Sequence, residues 1–215
     1  MITHDELLQI IDRAAREGVT ELNLSDRGLT TLPPEMAQLS QLTGLDLSYN
    51  QLTSLPESIA HLSNLTVLSL SSNRLTSLPN AIGQLTHLTT LDLSGNRLTS
   101  LPDAIGRLTH LTTLNLGDVF GSNKLTSLPD AIGQLTHLTI LSLSSNQLTS
   151  LPHSIAQLTH LTKLRLNRNQ LTSLPDAIAQ LTHLTVLDLR ENHLTRLPDA
   201  IASSRIDRAY VGAIN

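Results

Sequence analysis

A unit of 23 residues recurs along most of this 215-residue chain. Its clearest copy covers residues 88–110 and reads LTTLDLSGNRLTSLPDAIGRLTH. A repeat of this length with leucine in fixed positions is typical of a solenoid, in which each turn buries its apolar side chains only against the turns on either side. The repeat therefore predicts one elongated core built by stacking.

The first half of each unit predicts a short strand followed by a turn. Leu91 and Leu93 are separated by one polar residue and followed by another, which is the period expected of a strand with one buried face. Asn96 stands where the chain must leave the strand, and a buried amide there can bond the backbone of adjacent turns. The predicted ladder consists of Asn50, Asn73, Asn96, Asn123, Asn146, Asn169 and Asn192.

The second half of each unit predicts further core side chains and a helical turn on the opposite, convex side. Leu98, Leu101 and Ile105 are spaced three or four residues apart. Pro102-Asp103 suits a helix start, because aspartate can cap the first turn and bring negative charge to its positive end. We therefore expect a short helix or a 3₁₀ turn in each repeat.

The complete pattern, LxxLxLxxNxLxxLPxxIxxLxx, resembles the leucine-rich repeat over nearly the whole chain. Its LPxxIxxL half resembles the intracellular arrays of Roco-type GTPases, plant Ras-group repeat proteins and Ras-pathway scaffolds. The resemblance implies an α/β solenoid: a right-handed horseshoe or arc with a parallel concave sheet of about eight to nine strands and short convex helices. It also implies a module that recognises proteins and is not a catalyst.

The repeat pattern divides the chain into three predicted segments. Residues 1–19 form an N-terminal capping helix, residues 20–202 hold about eight repeats, and residues 203–215 form a degenerate C-terminal cap. The strands are expected at the Leu-x-Leu triplets that begin at Leu22, Leu45, Leu68, Leu91, Leu114, Leu141, Leu164 and Leu187. A ninth, closing strand is predicted around Ile206, Ala209 and Val211.

The capping helix has its own signals. Its apolar residues over 4–17 fall on one helical face. Thr3 and Glu6 fit a capping box, and Gly18 fits a helix stop. We expect this helix to seal the open edge of the first repeat, because a terminal repeat needs a polar outer face. A docking helix for a partner fits the same pattern.

Composition narrows the classes of function. The net charge of −4 gives no overall attraction to nucleic acid or acidic membranes, and three aromatic residues leave little for base stacking. The chain contains no cysteine and does not begin with a basic region and a long apolar run. We therefore expect a cytoplasmic protein with neither a nucleic-acid nor a membrane partner.

One insertion interrupts the array near residues 117–122. The step from Asn96 to Asn123 is four residues longer than the others. It carries Phe120, the only phenylalanine, between glycines at the edge of the concave face. Aromatic anchors often dominate interface energy, so Phe120 is a candidate contact, and a tolerated insertion whose phenylalanine folds back onto the solenoid is the alternative.

The concave face is expected to carry few side chains suited to a tight interface, except at its far end. The first six strands offer small polar side chains, with Tyr49 as the single aromatic. The seventh and eighth strands supply four cations, Lys163, Arg165, Arg168 and Arg190. We predict that an acidic protein surface binds there. A solvated face of mixed charge with no ligand is the alternative.

A row of histidines precedes the strands of successive repeats, at His87, His110, His137, His160 and His183. Neighbouring imidazoles could share a zinc ion if they lie close enough. A solvent-facing turn residue copied with its repeat is the plainer interpretation.

No signature of catalysis or of a cofactor stands out. The glycines form neither a GxxxxGK[ST] loop nor a GxGxxG fingerprint. Serine, histidine and aspartate recur in equivalent slots, whereas an active site needs one unique constellation. The sequence thus predicts a non-catalytic protein-interaction module, monomeric by default, with neither cofactor nor metal. The alternative is a structural or consensus-like scaffold, or a detached repeat domain of a signalling protein, with no dedicated ligand.

Overall fold

A computed structural model describes residues 2–117 and 123–198. The chain opens with helix α1 (His4–Arg16) and continues into a single eight-stranded parallel sheet. Its strands, in spatial as in chain order, are β1 (Glu21–Asn23), β2 (Gly44–Asp46), β3 (Val67–Ser69), β4 (Thr90–Asp92), β5 (Thr113–Asn115), β6 (Ile140–Ser142), β7 (Lys163–Arg165) and β8 (Val186–Asp188). The predicted solenoid is confirmed. The ninth strand and the cap over 203–215 lie outside the described residues.

Leucines set the register of the sheet. Leu91 lies between Leu68 and Leu114 in the neighbouring strands. Leu91 and Leu93 are completely buried. Because every repeat places its leucines in the same positions, their side chains stack into one apolar column along the solenoid, and the polar residues between them remain on the concave face.

The convex side is formed by 3₁₀ helices, one of the two forms predicted. They are η1 (Pro34–Gln38), η2 (Glu57–His61), η3 (Asn80–Gln84), η4 (Asp103–Arg107), η5 (Asp130–Gln134), η6 (His153–Gln157) and η7 (Asp176–Gln180). The predicted aspartate cap is wrong. Pro102 occupies the cap position in an extended conformation, and no side chain caps the helix. Asp103 comes one position later, inside the helix, and its side chain is exposed to solvent.

Glycine lets neighbouring 3₁₀ helices approach closely. A Cβ atom on Gly106 would lie 2.7 Å from the carbonyl oxygen of Ala131 in the next repeat. A Cβ on Gly83 would lie 2.5 Å from the carbonyl oxygen of Ala104. Both distances are shorter than a carbon and an oxygen tolerate, so the stacking of η3, η4 and η5 depends on the missing side chains.

The predicted asparagine ladder is confirmed, and each amide joins two repeats. Asn96 Oδ1 accepts a hydrogen bond from the N–H of Leu75 at 3.0 Å. Its Nδ2 donates to the carbonyls of Leu70 and Leu93 at 2.8 and 3.1 Å. Equivalent bonds recur at all seven positions, and only Asn192 is less than fully buried. The ladder satisfies backbone groups that stacking removes from water.

Helix α1 covers the first repeat with its apolar face, where Leu7 and Ile11 are buried. Its capping box is formed: the N–H of Glu6 donates to Thr3 Oγ1 at 3.2 Å, and the N–H of Thr3 donates to the Glu6 carboxylate at 2.7 Å. That backbone hydrogen bond from Thr3 holds the pKa of Glu6 below its ordinary value. Gly18 follows the helix with a φ of 63°. The three-part division of the chain stays a prediction.

Candidate protein-binding surface on the concave sheet

The middle of the concave face is lined by small side chains. Between the buried leucines, strands β3 to β5 present the half-buried polar side chains of Ser69, Asp92 and Asn115, whereas Ser142 of β6 is buried. Asp92 is partly engaged by its own chain, because its Oδ1 accepts a hydrogen bond from the N–H of Ser94 at 2.9 Å. These polar side chains offer a partner little apolar area, and the exposed apolar side chain in these strands is Val67 at the start of β3, at 44%.

The far end of the face gathers the four predicted cations. Lys163 and Arg165 begin and end β7, and Arg165 lies beside Asp188 of β8 in register. Arg168 follows β7 by three residues, and Arg190 follows β8 by two. We name these four cations the concave basic patch.

Two of the four cations are neutralised by carboxylates that also lie on this face. Arg190 donates from Nε and Nη2 to the buried carboxylate of Asp188, at 2.8 and 2.6 Å. Arg168 Nε lies 3.0 and 3.1 Å from the two carboxylate oxygens of Glu191. The first pair is fork-shaped and partly buried, so it is the more strongly held.

Lys163 and Arg165 differ from the paired arginines. Within residues 2–117 and 123–198, neither forms an ion pair. Arg165 is exposed and Lys163 is half-buried at the base of the patch. The patch therefore carries an uncompensated charge of two, concentrated on β7.

Tyr49 is not part of this patch. It is 65% exposed and follows β2, in a left-handed conformation with φ of 55°. Four strands lie between β2 and β7, and the five interstrand steps correspond to roughly 24 Å at the usual strand spacing. A partner would need to cover most of the sheet to contact both. Phe120 lies outside the described residues.

The histidine row is a hydrogen-bonding ladder, a role that was not predicted. His110 Nδ1 lies 2.9 Å from the carbonyl oxygen of Thr86 in the preceding repeat. A carbonyl oxygen only accepts, so Nδ1 carries the hydrogen. The same bond recurs at His87, His137, His160 and His183. Asn64 occupies the equivalent position and donates to the carbonyl of Ser40, and Gln41 donates in the same way to the carbonyl of Ala14. Side chains that all carry an N–H donor at this position are a sequence signal that could have revealed the hydrogen-bonding role.

The spacing of the row argues against a shared zinc ion. Neighbouring rings are nearly parallel, with centroids 6.2–6.4 Å apart. Two nitrogens at about 2.1 Å from one ion can be separated by at most about 4.2 Å. Likewise, across residues 2–117 and 123–198, no three histidine, aspartate or glutamate side chains are grouped to hold a metal ion.

A surface groove on the convex side is open to solvent. Its lining includes Asp103, Arg107, Asp130, His153 and Ser154. Ser154 Oγ lies 3.5 Å from Asp130 Oδ1, and in the described part of the chain no histidine is hydrogen-bonded to this serine. In this groove the serine hydroxyl is therefore oriented towards a carboxylate and not towards a histidine.

Comparison with known proteins agrees with this geometry. The family model of the leucine-rich repeat matches residues 17–75, 63–118, 120–171 and 159–205 of this sequence. A leucine-rich repeat protein of Leptospira interrogans is 40% identical, with a TM-score of 0.75 over 88% of this chain and 54% of its own. This chain therefore spans about half the length of that protein.

Two further structures share the fold. TLR13, solved in complex with single-stranded RNA, is 28% identical with a TM-score of 0.75, over 91% of this chain and 29% of its own. An internalin from Listeria monocytogenes is 25% identical with a TM-score of 0.66, over 87% of this chain and 59% of its own. No curated protein matches the sequence significantly.

No helix within residues 2–117 and 123–198 is long and apolar enough to cross a membrane. The repeat geometry, the asparagine ladder and the family match together show that the chain belongs to the leucine-rich repeat family.

Proposed function

We propose that the protein is a cytoplasmic, non-catalytic interaction module that binds an acidic protein surface through the concave basic patch. Members of the leucine-rich repeat family generally serve as scaffolds for contacts between proteins and not as enzymes. The cysteine-free composition supports the cytoplasm. The finer resemblance to Roco-type and Ras-group arrays stays a prediction.

The observation that carries the proposal is the pair of uncompensated cations on β7. Lys163 and Arg165 lack ion-pair partners in the described part of the chain, whereas Arg168 and Arg190 have Glu191 and Asp188. A carboxylate of a partner protein would neutralise positive charge on this strand. Because the sheet is already formed, binding loses little ordering entropy.

A structural scaffold without a ligand is the second candidate. The near-identity of the repeats and the small side chains across β3 to β6 favour it. The same array could equally be the repeat domain of a longer signalling protein. Both interpretations predict that the wild type holds no partner through the surface of β7.

Affinity capture from source-cell lysate with reversed charges tests the proposal. The test variant carries Lys163→Glu and Arg165→Glu, and the control carries Arg13→Glu and Arg107→Glu, which lie on α1 and η4. Circular dichroism first establishes that both are folded. We expect the wild type and the control to retain the same partner and the test variant to lose it. If all three proteins retain the same partner, the concave basic patch is not the binding site. If none of them retains a partner, the scaffold interpretation is favoured.

A further inference from the structure

A second basic feature lies on the edge where each repeat leaves the concave sheet. The residue after each ladder asparagine donates its backbone N–H to a leucine carbonyl of the preceding repeat. This bond is 2.9 Å from Arg74 to Leu52, 2.9 Å from Arg97 to Leu75 and 2.8 Å from Lys124 to Leu98. Arg74, Arg97 and Lys124 therefore occupy consecutive rungs of one column, which we call the edge row.

The side chains of the edge row point into solvent. Arg74, Arg97 and Lys124 are all exposed, and each is followed by a completely buried leucine. None of the three forms an ion pair with a residue in 2–117 or 123–198. Gln51 and Gln147 occupy the same column on either side, so the row is a bounded group of three positive charges.

The spacing of the edge row suits an extended chain. Direct backbone hydrogen bonds between adjacent turns hold consecutive rungs about 5 Å apart. Side chains on one face of an extended peptide recur about every 6.8 Å, and the long cationic side chains can adjust to that difference. Alternate acidic residues of such a peptide can therefore each meet one cation.

The neighbouring side chains favour a peptide over a nucleic acid. Thr76, Thr99 and Thr126 are exposed two residues after each cation and offer hydroxyl groups to a peptide backbone. Among the described residues, the exposed aromatic Tyr49 lies two residues before Gln51, one rung outside the row, so a base has little on which to stack along the row itself. Arginine also matches the fork geometry of carboxylates.

We propose that Arg74, Arg97 and Lys124 form a docking strip for an extended, acidic protein segment. The strip lies on the edge of the solenoid and does not include the concave basic patch. It can therefore operate whether or not the patch binds a partner.

The test measures fluorescence anisotropy of a labelled oligoglutamate peptide of about eight residues, long enough to span the row. Binding is measured at an ionic strength of about 0.01 M, where screening is weak. The test variant carries Arg74→Gln, Arg97→Gln and Lys124→Gln. Arg107→Gln removes a cation from η4 as a control, Lys163→Gln with Arg165→Gln reports on the patch, and Gln147→Arg lengthens the row by one rung.

We expect the triple variant to bind about tenfold more weakly, the combined effect of three exposed charge pairs. The Arg107→Gln control should bind like the wild type, and Gln147→Arg should bind about threefold more tightly. The proposal is overturned if the peptide does not bind, if the triple variant binds like the wild type, or if the patch variant loses as much affinity. Tighter binding of linear polyphosphate than of oligoglutamate at the row would also overturn it, in favour of a phosphate polymer.

Discussion

Replacing Asn96 with alanine measures how much one rung of the asparagine ladder stabilises the solenoid. Asn96 Nδ2 donates to the carbonyls of Leu70, Leu93 and Ser94, and each of them has a second donor; for Ser94 it is the N–H of Ser72 at 2.8 Å. Leu70 also accepts from Asn73 at 3.1 Å, and Leu93 also accepts from Asn123 at 2.9 Å. The N–H of Leu75 has no second acceptor among the described residues. The variant therefore leaves one buried donor without a partner, while all three carbonyls keep a donor.

The expected loss of stability follows from the one donor that is left unpaired. A buried donor without a partner costs about 1–3 kcal/mol, and the space left by the deleted amide adds about 1 kcal/mol. We expect Asn96→Ala to lower the free energy of unfolding by about 2–4 kcal/mol. Asn192 makes the same bond to the N–H of Leu171 at 3.0 Å but is only half-buried. Water can replace its amide, so Asn192→Ala should cost less than about 1 kcal/mol.

Urea unfolding followed by circular dichroism measures both variants, with the slope of the transition checked for a change in cooperativity. A loss below about 1 kcal/mol at Asn96 would refute the ladder as a source of stability. Equal losses at the two positions would refute the role assigned to burial.

Three further variants test other features of the fold. Gly106→Ala should lower the free energy of unfolding by about 1–3 kcal/mol, measured in urea, because its Cβ would meet the carbonyl of Ala131; an unchanged midpoint would show that η4 and η5 can separate freely. His110→Asn should be more stable than His110→Leu by about 1 kcal/mol in the same assay, because it retains the donor to Thr86; equal stabilities would contradict that bond. Because the pKa of Glu6 is lowered in the folded state, its stabilising effect is complete above the unfolded value of about 4.5 and is lost as the pH falls through the folded value. The protection of the α1 amides, corrected for the intrinsic pH dependence of exchange, should therefore fall on acidification in the wild type, and Glu6→Gln should weaken that dependence.

The repeat made the backbone predictable, because a single solution must serve every copy of the unit. The strand around Leu91, its register and the bonds of Asn96 follow from a residue pattern that the neighbouring repeats share. The aspartate cap failed for a local reason. The sequence does not show whether the helix begins at Asp103 or at Ala104, and only the later start would place Asp103 at the cap.

Side-chain pairing across repeats was much less predictable. The sequence placed Arg168 and Arg190 at one end of the sheet, but their partners depend on side-chain conformations that spacing does not fix. The edge row was missed because its cations are spread over more than fifty residues and become neighbours only through stacking. The interpretation of Phe120 remains a prediction, since it lies outside the described residues.

The insertion after β5 shows where residues can be added to this architecture. Thr113 pairs with Ile140, a step of 27 residues where other repeats use 23, yet the strand register and the bond from Leu98 to Asn123 are both retained. The pairing of the strands therefore does not depend on the number of residues between Gly117 and Asn123. Doubling the length of a flexible loop costs only about 0.6 kcal/mol. New binding segments can thus be added at the rim, one repeat at a time, without redesign of the core.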